Sequence, residues 1–242
     1  GLGVIAITDH DTAAGVELAR RAAGEEGPVV LAGVELSASW EGEDFHLLGY
    51  GIDPRHPAIV QWDARLAAER RTRAAAIVGR LNDLGVPLQL SDVVTPEAHS
   101  MVGRPHIAAA LVRCGFAATI QESFTRWLAD GAPAYVGSPG PDVSHAIEAV
   151  HSAGGIAVWA HPDPAHADRL GSLTAQGLDG VEAYRPAATG SGASRLEQAA
   201  RLAGLLVSGG SDWHGAEPPL GTWSISARAI APLLERLGVA VE

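Results

Sequence analysis

The 242-residue sequence contains no lysine, a single cysteine and only 5% aromatic residues, and each shortage argues against one kind of protein or site. The few aromatic residues do not fit an aromatic-rich β-sandwich. With Cys114 as the only cysteine, an intrachain disulfide framework and a CxxC metal site are excluded. Without lysine, a phosphate-binding loop that depends on lysine is excluded, so phosphate contacts must come from arginine or metal ions. The formal net charge of −11 offers no overall basic surface for duplex DNA.

Long hydrophobic runs are also missing. Apolar stretches such as residues 4–7 and 155–160 are far too short to span a membrane. No basic, apolar and small-residue signal pattern opens the sequence. We therefore expect a soluble, cytoplasmic protein without membrane contacts, and no sequence feature indicates an obligate protein partner.

Short segments rich in valine, isoleucine and leucine alternate with alanine-rich helical patterns. The strand-like segments are residues 4–7, 29–31, 46–50, 156–160, 180–183 and 205–208. Helical patterns at 12–23, 144–153 and 193–203 are each followed by a glycine that can end a helix. This alternation predicts an α/β fold with a parallel sheet.

The middle of the chain has a different pattern. Residues 57–130 are almost wholly helical in character, and no segment among them makes a convincing strand. Glycine and proline are dense on the C-terminal side of this segment. We therefore predict that residues 1–56 and 131–242 form one α/β domain, with residues 57–130 inserted as a helical subdomain.

Histidines and carboxylates cluster where the predicted strands end. The clusters are Asp9-His10-Asp11, Glu35, His46, His161 and Asp212-Trp213-His214. In parallel α/β folds the carboxyl ends of strands share one rim, so side chains that are remote in sequence meet there. Imidazole and carboxylate ligands together suit zinc, manganese or iron(II).

Each of these residues has an ordinary structural explanation when taken alone. Asp11 could cap a helix that starts at Thr12, and His46 could be a hydrogen-bonded strand histidine. Five such clusters are harder to explain in this way, because buried ionisable groups cost several kcal/mol unless they are paired or metal-bound. The set as a whole therefore predicts a metal site.

Six motifs give the sequence a family resemblance that covers nearly the whole chain. They are ITDHDT at 7–12, GVE at 33–35, HLLGYG at 46–51, GRPHIA at 103–108, AHP at 160–162 and GGSDWHG at 209–215. In order and spacing they resemble the PHP (polymerase and histidinol phosphatase) family of metal-dependent phosphoesterases. The resemblance implies a distorted (β/α)7 barrel with up to three divalent metal ions at its rim, and a helical insertion that covers the active site.

The resemblance also implies roles for individual residues. Glu35 bridges two metals, His46 and His161 complete one of them, Asp212 joins the next, and His10 with His214 holds the third. Glu35, His161, Asp212 and His214 are then catalytic residues, with a metal-bridging hydroxide as the nucleophile. A bridging carboxylate is physically required because adjacent dications repel each other. Arg104 and His106 are the predicted substrate contacts, since the guanidinium fork matches phosphate oxygens.

The sequence departs from the family at its start. Family members begin with a strand ending in an HxH motif that supplies further ligands, and this motif is absent here. Either the sequence is a fragment of a longer enzyme, which we expect because a barrel without its first strand exposes unpaired edges, or it is a degenerate member. From the residues of this chain alone we expect one well-formed metal site, at Glu35, His46 and His161, and two incomplete ones.

The predicted function is hydrolysis of phosphate esters of small nucleotides, either nucleoside 3',5'-bisphosphates or the 5' ends of short RNAs. Histidinol phosphate is an alternative substrate with the same chemistry. A non-catalytic metal- or nucleotide-binding remnant is an alternative of another class. A metal-dependent amidohydrolase is a third, although the lysine that such enzymes commonly use is absent.

Overall fold

The computed structural model describes residues 1–94, 102–137, 140–188, 190–215 and 219–240. The chain divides into two compact units. The first, Gly1–Val60 with Pro139–Glu242, is called the sheet unit here, and the second, Gln61–Ser138, the helical unit. Residues 95–101, which precede the GRPHIA motif, lie outside the described residues.

Within the described residues, six strands form one sheet in the order β1-β2-β3-β4-β5-β6. They are β1 (Val4–Ile7), β2 (Val29–Trp40), β3 (Glu43–Tyr50), β4 (Ile156–Trp159), β5 (Gly180–Tyr184) and β6 (Leu206–Gly209). The pairs β1–β2, β4–β5 and β5–β6 are parallel, whereas β3 is antiparallel to both of its neighbours. The mixed α/β class is thus confirmed, but the expectation of a wholly parallel sheet is wrong for β3.

A two-residue turn explains why β3 is reversed. Trp40 pairs with Glu43, and the intervening Glu41 and Gly42 have φ angles of 53° and 83°. Two consecutive positive φ angles are the signature of a type I' hairpin turn, whose twist matches that of the flanking strands. Because a parallel pair needs a crossover of a dozen or more residues, this connection permits only antiparallel pairing.

The register of the hairpin decides which side chains share a face of the sheet. Ser37 lies opposite His46, and Glu35 lies opposite Leu48. Directly opposed residues point to the same side, and so do residues two apart along one strand. Glu35 and His46 therefore project from the same face of the sheet, and the pair that contains His46 is two residues along the strand from the pair that contains Glu35.

The helices follow in chain order. They are α1 (Val16–Ala23), α2 (Pro57–Asp83), α3 (Leu90–Val93), α4 (Arg104–Arg113), α5 (Ile120–Ser123), α6 (Val143–Ser152), α7 (Leu170–Thr174), α8 (Gly190–Ala203) and α9 (Ala231–Arg236). Short 3-10 helices cover Pro164–Arg169 and Ala227–Ile230, and a π-helix covers Phe124–Leu128. No described residue from 57 to 130 lies in a strand.

Each unit has its own buried apolar residues. In the sheet unit, Leu48, Val158 and Leu233 belong to one cluster, which joins the sheet to α9. In the helical unit, Ile77, Leu81 and residues of α4 form another cluster. Burying a leucine or isoleucine side chain fully contributes about 2 kcal/mol. Among the described residues, no helix is both long and apolar enough to cross a bilayer.

Candidate metal centre

Three imidazole nitrogens surround a single oxygen of Glu35. Glu35 Oε1 lies 2.8 Å from His46 Nδ1, 3.1 Å from His161 Nε2 and 3.9 Å from His10 Nδ1. The two nearer nitrogens, of His46 and His161, are themselves 3.1 Å apart. Glu35 is buried, while the three histidines are partly exposed. The carboxylate therefore forms the floor of a cluster that opens toward solvent.

The loop after β1 brings His10 to this cluster. The Glu35 amide donates to the Asp9 carbonyl at 3.0 Å, and the Asp11 amide donates to the Glu35 carbonyl at 2.7 Å. These bonds extend the parallel β1–β2 ladder beyond the end of β1 and fix His10 beside Glu35. One ligand atom from each of His10, Glu35 and His46 lies within 4.8 Å of the other two.

The electrostatics of the cluster follow from this packing. Burial on its own would raise the pKa of Glu35, but hydrogen bonds with His161 and His46 outweigh it and hold that pKa well below its usual range. The same hydrogen bond with Glu35 raises the pKa of His161. His10 is different, because burial lowers its pKa. Glu35 is thus ionised, and His10 favours the neutral form, which is the form that can bind metal.

Backbone strain is concentrated around the cluster. Among the described residues, four non-glycine residues have positive φ, and three of them are Asp11 (58°), His161 (32°) and Asp212 (51°). The fourth is Glu41 of the hairpin turn. Positive φ costs a non-glycine residue of order 1 kcal/mol and persists where the surroundings enforce it, commonly at functional sites.

Asp11 is an anchor inside the sheet unit. Its carboxylate accepts hydrogen bonds from the Ser37 amide at 2.6 Å and the Ser37 hydroxyl at 2.8 Å, and the residue is only 1% exposed. The alternative interpretation of Asp11 as a helix cap is wrong, because α1 begins at Val16 with Gly15 before it. Asp11 instead holds the loop that carries His10 against β2.

Asp212 and His214 lie at the margin of the cluster, in the loop after β6. The His214 ring is 5.8 Å from the His10 ring between centroids. Asp212 is close enough to His161 for its charge to raise the pKa of that histidine. Both side chains are far more exposed than Glu35. Their roles as ligands stay predictions.

Sequence reasoning missed Glu182, which lies in the middle of β5. Glu182 Oε2 accepts a hydrogen bond from the His161 amide at 2.9 Å, and the residue is 4% exposed. Burial raises the pKa of its carboxyl to about 7, although the His161 amide acts in the opposite direction. The signal in the sequence is one carboxylate inside the apolar strand GVEAY, which has no histidine beside it.

The predicted substrate contacts lie in the helical unit, at the start of α4. Arg104 forms an ion pair with Asp130, donates to the Leu128 carbonyl at 3.3 Å and lies over the Tyr135 ring at 5.2 Å. His106 Nδ1 accepts a hydrogen bond from the Gly103 amide at 3.2 Å, which caps its own helix. Both side chains thus have local partners, and their contact with substrate stays a prediction.

The donor chemistry of the cluster fits a divalent metal ion. Three imidazoles and an ionised carboxylate are the ligand types that zinc, manganese and iron(II) accept. Hydrogen bonds hold these groups in place, and the loops that carry His10 and His161 include residues with positive φ. The residues that would bind it are His10, Glu35, His46 and His161.

No family model matches the sequence. Among individual proteins, the 5'-3' exoribonuclease Rnm of Escherichia coli is 33% identical over 221 residues, which are 88% of this chain and 75% of the relative. The 3',5'-nucleoside bisphosphate phosphatase of Chromobacterium violaceum is 31% identical over 227 residues, which are 87% of this chain and 76% of the relative. The chain belongs to the PHP family of metal-dependent phosphoesterases.

Solved structures agree with membership of the PHP family. A crystal structure from Bifidobacterium adolescentis, provisionally assigned as a metal-dependent phosphoesterase, matches with a TM-score of 0.81 and 34% identity. The match covers 98% of this chain and 86% of that one. An amidohydrolase from Chromobacterium violaceum, with bound sulfate and no metal, matches with a TM-score of 0.73 and 30% identity over 88% of this chain and 77% of that one.

The alignment with another relative is shorter. A 5'-3' exoribonuclease from Haemophilus influenzae is 38% identical over 162 residues, which are 67% of this chain. The aligned part spans only 59% of that relative's length.

The motifs that first indicated the PHP family supply the clustered side chains: ITDHDT contributes His10, GVE contributes Glu35, HLLGYG contributes His46 and AHP contributes His161.

Proposed function

We propose that this chain is a divalent-metal-dependent phosphoesterase that acts on small nucleotides, either nucleoside 3',5'-bisphosphates or the 5' ends of short RNAs. The observation that carries the proposal is the convergence of three histidine nitrogens on Glu35 Oε1 at 2.8, 3.1 and 3.9 Å. The substrate class comes from the names of relatives that are exoribonucleases or a nucleoside bisphosphate phosphatase.

In this proposal Glu35, His46, His161 and His10 hold divalent cations, and manganese is the first candidate to test. A bound cation would supply Lewis acidity, which polarises a phosphate ester and lowers the pKa of water. The protein contributes a ligand set in which Glu35 is buried and the three histidines are partly exposed. Asp212 and His214, at the exposed margin, complete the ligands and face the substrate.

Two further parts of the proposal rest on the family pattern. The six described strands belong to a distorted (β/α)7 barrel of the PHP type. Arg104 and His106 contact substrate phosphate, which the GRPHIA motif supports. Replacing Arg104 by alanine then raises the KM for nucleotide, with Arg113→Ala on the same helix as its control.

The test measures phosphate release by the manganese-loaded chain from adenosine 3',5'-bisphosphate, a short 5'-phosphorylated RNA and histidinol phosphate. We expect turnover of at least one nucleotide substrate. Glu35→Gln removes the carboxylate that the three histidines share. Loss of a residue that only hydrogen-bonds to a metal ligand lowers activity by about 10- to 100-fold, so we expect kcat/KM to fall by more than this. Bound manganese, measured by atomic absorption, falls with it.

Glu17→Gln is the matched control, because Glu17 is an exposed carboxylate on α1 that pairs with Arg20. It keeps wild-type activity and metal content. Turnover of histidinol phosphate alone would contradict the nucleotide substrates and support histidinol phosphate, the alternative substrate. Metal binding without release from any of these esters would instead favour the non-catalytic alternative.

A further inference from the structure

A pocket of about 310 Å³ adjoins the metal centre within the sheet unit. His46 and His161 form the wall that it shares with the centre. Its other walls come from the tip of the β2–β3 hairpin and from the segment that follows β4. The volume is at the lower end of the range for small-molecule sites. A molecule seated there would touch the same histidines that hold the proposed metal.

Aromatic side chains form the floor of this pocket. The Phe45 and Trp159 rings stack at 5.1 Å between centroids, with an angle of 19° between their planes. Trp40 meets the Trp159 ring edge-on at 6.3 Å. All three residues are at least nine-tenths buried, so this floor is rigid and presents only part of its surface to the pocket. Rigid aromatic surface suits a flat, apolar ring.

The rim of the pocket is charged, and its charge is mostly negative. Arg169 pairs with Glu43 at 2.6 Å, and its guanidinium lies 5.5 Å from the Trp40 ring. Asp44 and Asp163 also line the pocket, so the described lining holds three carboxylates and one guanidinium. A second phosphate would be repelled by this rim. Carboxylates instead accept hydrogen bonds from neutral N–H donors, such as the amino groups of adenine, guanine and cytosine.

We propose that this pocket binds the nucleobase of the nucleotide whose phosphate lies at the histidine–glutamate cluster. The inference rests on the proposed function, because the shared wall of His46 and His161 is what places the base next to the phosphate. The aromatic floor supplies apolar contact, and the acidic rim selects bases that carry an amino group. The pocket therefore makes the enzyme specific for nucleotides over simple sugar phosphates.

The test compares binding of AMP and ribose 5-phosphate to the manganese-loaded chain by isothermal titration calorimetry. The two ligands share a phosphate and a ribose, and only AMP has a base. We expect AMP to bind at least about tenfold more tightly, which is the affinity that base–aromatic contact contributes. The half-buried His166 lines the pocket, so His166→Trp places a bulky ring in it. This variant should lose the higher affinity for AMP and keep its affinity for ribose 5-phosphate.

Two matched variants control the design. Leu202→Trp adds the same ring at a side chain that is 84% exposed and lies outside the pocket, so it keeps the advantage of AMP. His166→Ala removes the imidazole without filling the pocket and also keeps it. Equal affinity for the two ligands in the wild type, or an equal loss for both in His166→Trp, overturns the pocket assignment.

Phosphate release separates this proposal from the proposed function. If adenosine 3',5'-bisphosphate and ribose 5-phosphate are hydrolysed with equal kcat/KM, the result supports the proposed phosphoesterase activity and contradicts the assignment of the pocket to a nucleobase. Base-dependent binding that is lost in His166→Trp, without release of phosphate from either ester, supports the pocket and rejects the enzyme.

Discussion

Glu182 places a carboxyl group inside the sheet unit, where it accepts the amide hydrogen of His161. His161 has a strained φ of 32° and lies 3.1 Å from Glu35. A carboxylate that holds the backbone of a proposed ligand fixes the direction in which its imidazole points. Glu182 is therefore a positioning residue for the proposed metal centre.

Glu182 also makes stability depend on pH. Burial raises its pKa from 4.5 to about 7, so between these values the folded metal-free chain binds a proton that the unfolded chain has released. Stability consequently falls as pH rises through this window, by about 3 kcal/mol in total at about 1.4 kcal/mol per unit. Below about pH 4.5 both states are protonated and the penalty is absent.

Glu182→Gln removes this titration while it keeps a carbonyl acceptor for the His161 amide. With EDTA present, the unfolding free energy of the variant relative to wild type should shift by about 3 kcal/mol in favour of the variant between pH 4.5 and 8. Urea unfolding at a series of pH values measures this. Parallel pH profiles for the two proteins would show that Glu182 is ionised in the folded chain, and Glu17→Gln gives the baseline.

The sequence alone predicts the roles of some site residues and not of others. Glu35 stood out because it follows an apolar segment in the GVE motif and has motif partners elsewhere in the chain. Glu182 did not, since it has no motif partner, and only the structure shows that it is 4% exposed and accepts the His161 amide hydrogen. Asp11 looked like a helix cap, because the sequence does not reveal its long-range hydrogen bonds to Ser37.

At the level of elements, the β2–β3 hairpin depends on its two-residue turn. Gly42 has a φ of 83°, a conformation that costs a β-branched residue more than glycine or asparagine. Gly42→Val should therefore lower the unfolding free energy by about 1 to 2 kcal/mol, measured by urea unfolding.

Glu41→Asn is the paired control, since asparagine tolerates the φ of 53° at this position. It should leave stability unchanged or raise it by a few tenths of a kcal/mol. An unchanged midpoint for Gly42→Val would mean that the turn is not rigid in solution.

The hairpin also marks where element prediction failed. The apolar pattern predicted a strand only over residues 29–31, whereas β2 continues to Trp40. Ser37 and Ser39 interrupt the apolar pattern in the distal part, although Ser39 donates to the Gly140 carbonyl and stays in the ladder. By contrast, β1 was predicted over its observed bounds, because all four of its residues are apolar.

For the whole molecule, the proposed metal centre should link metal binding to folding. Manganese that binds only the folded chain stabilises it by about 2.7 kcal/mol at a hundredfold excess over Kd. The melting temperature should therefore rise with manganese and return to its metal-free value with EDTA.

His161→Ala should lose most of this stabilisation, since His161 contacts both Glu35 and His46. His145→Ala, which removes an exposed histidine from α6, should keep all of it. Equal metal-induced shifts in melting temperature for the two variants would place the bound metal elsewhere.

Family membership and the mixed α/β class were both predicted from the sequence, because short motifs and alternating patterns are local signals. The division of the chain was predicted from the start of the helical pattern at residue 57. The structure starts α2 there as well, at Pro57, but the compact units divide after Val60, within that helix, and no sequence signal marks a boundary inside a continuous helix.

The alternation of side chains along β3 restricts how the length of this chain can change during evolution. A one-residue insertion or deletion between Gly42 and His46 would turn His46 to the opposite face if the rest of the ladder stayed in register. A two-residue change would restore the facing but move the imidazole along the sheet, away from Glu35. Homologues that keep His46 are therefore expected to vary in loop length elsewhere and to conserve the spacing from the turn to this histidine.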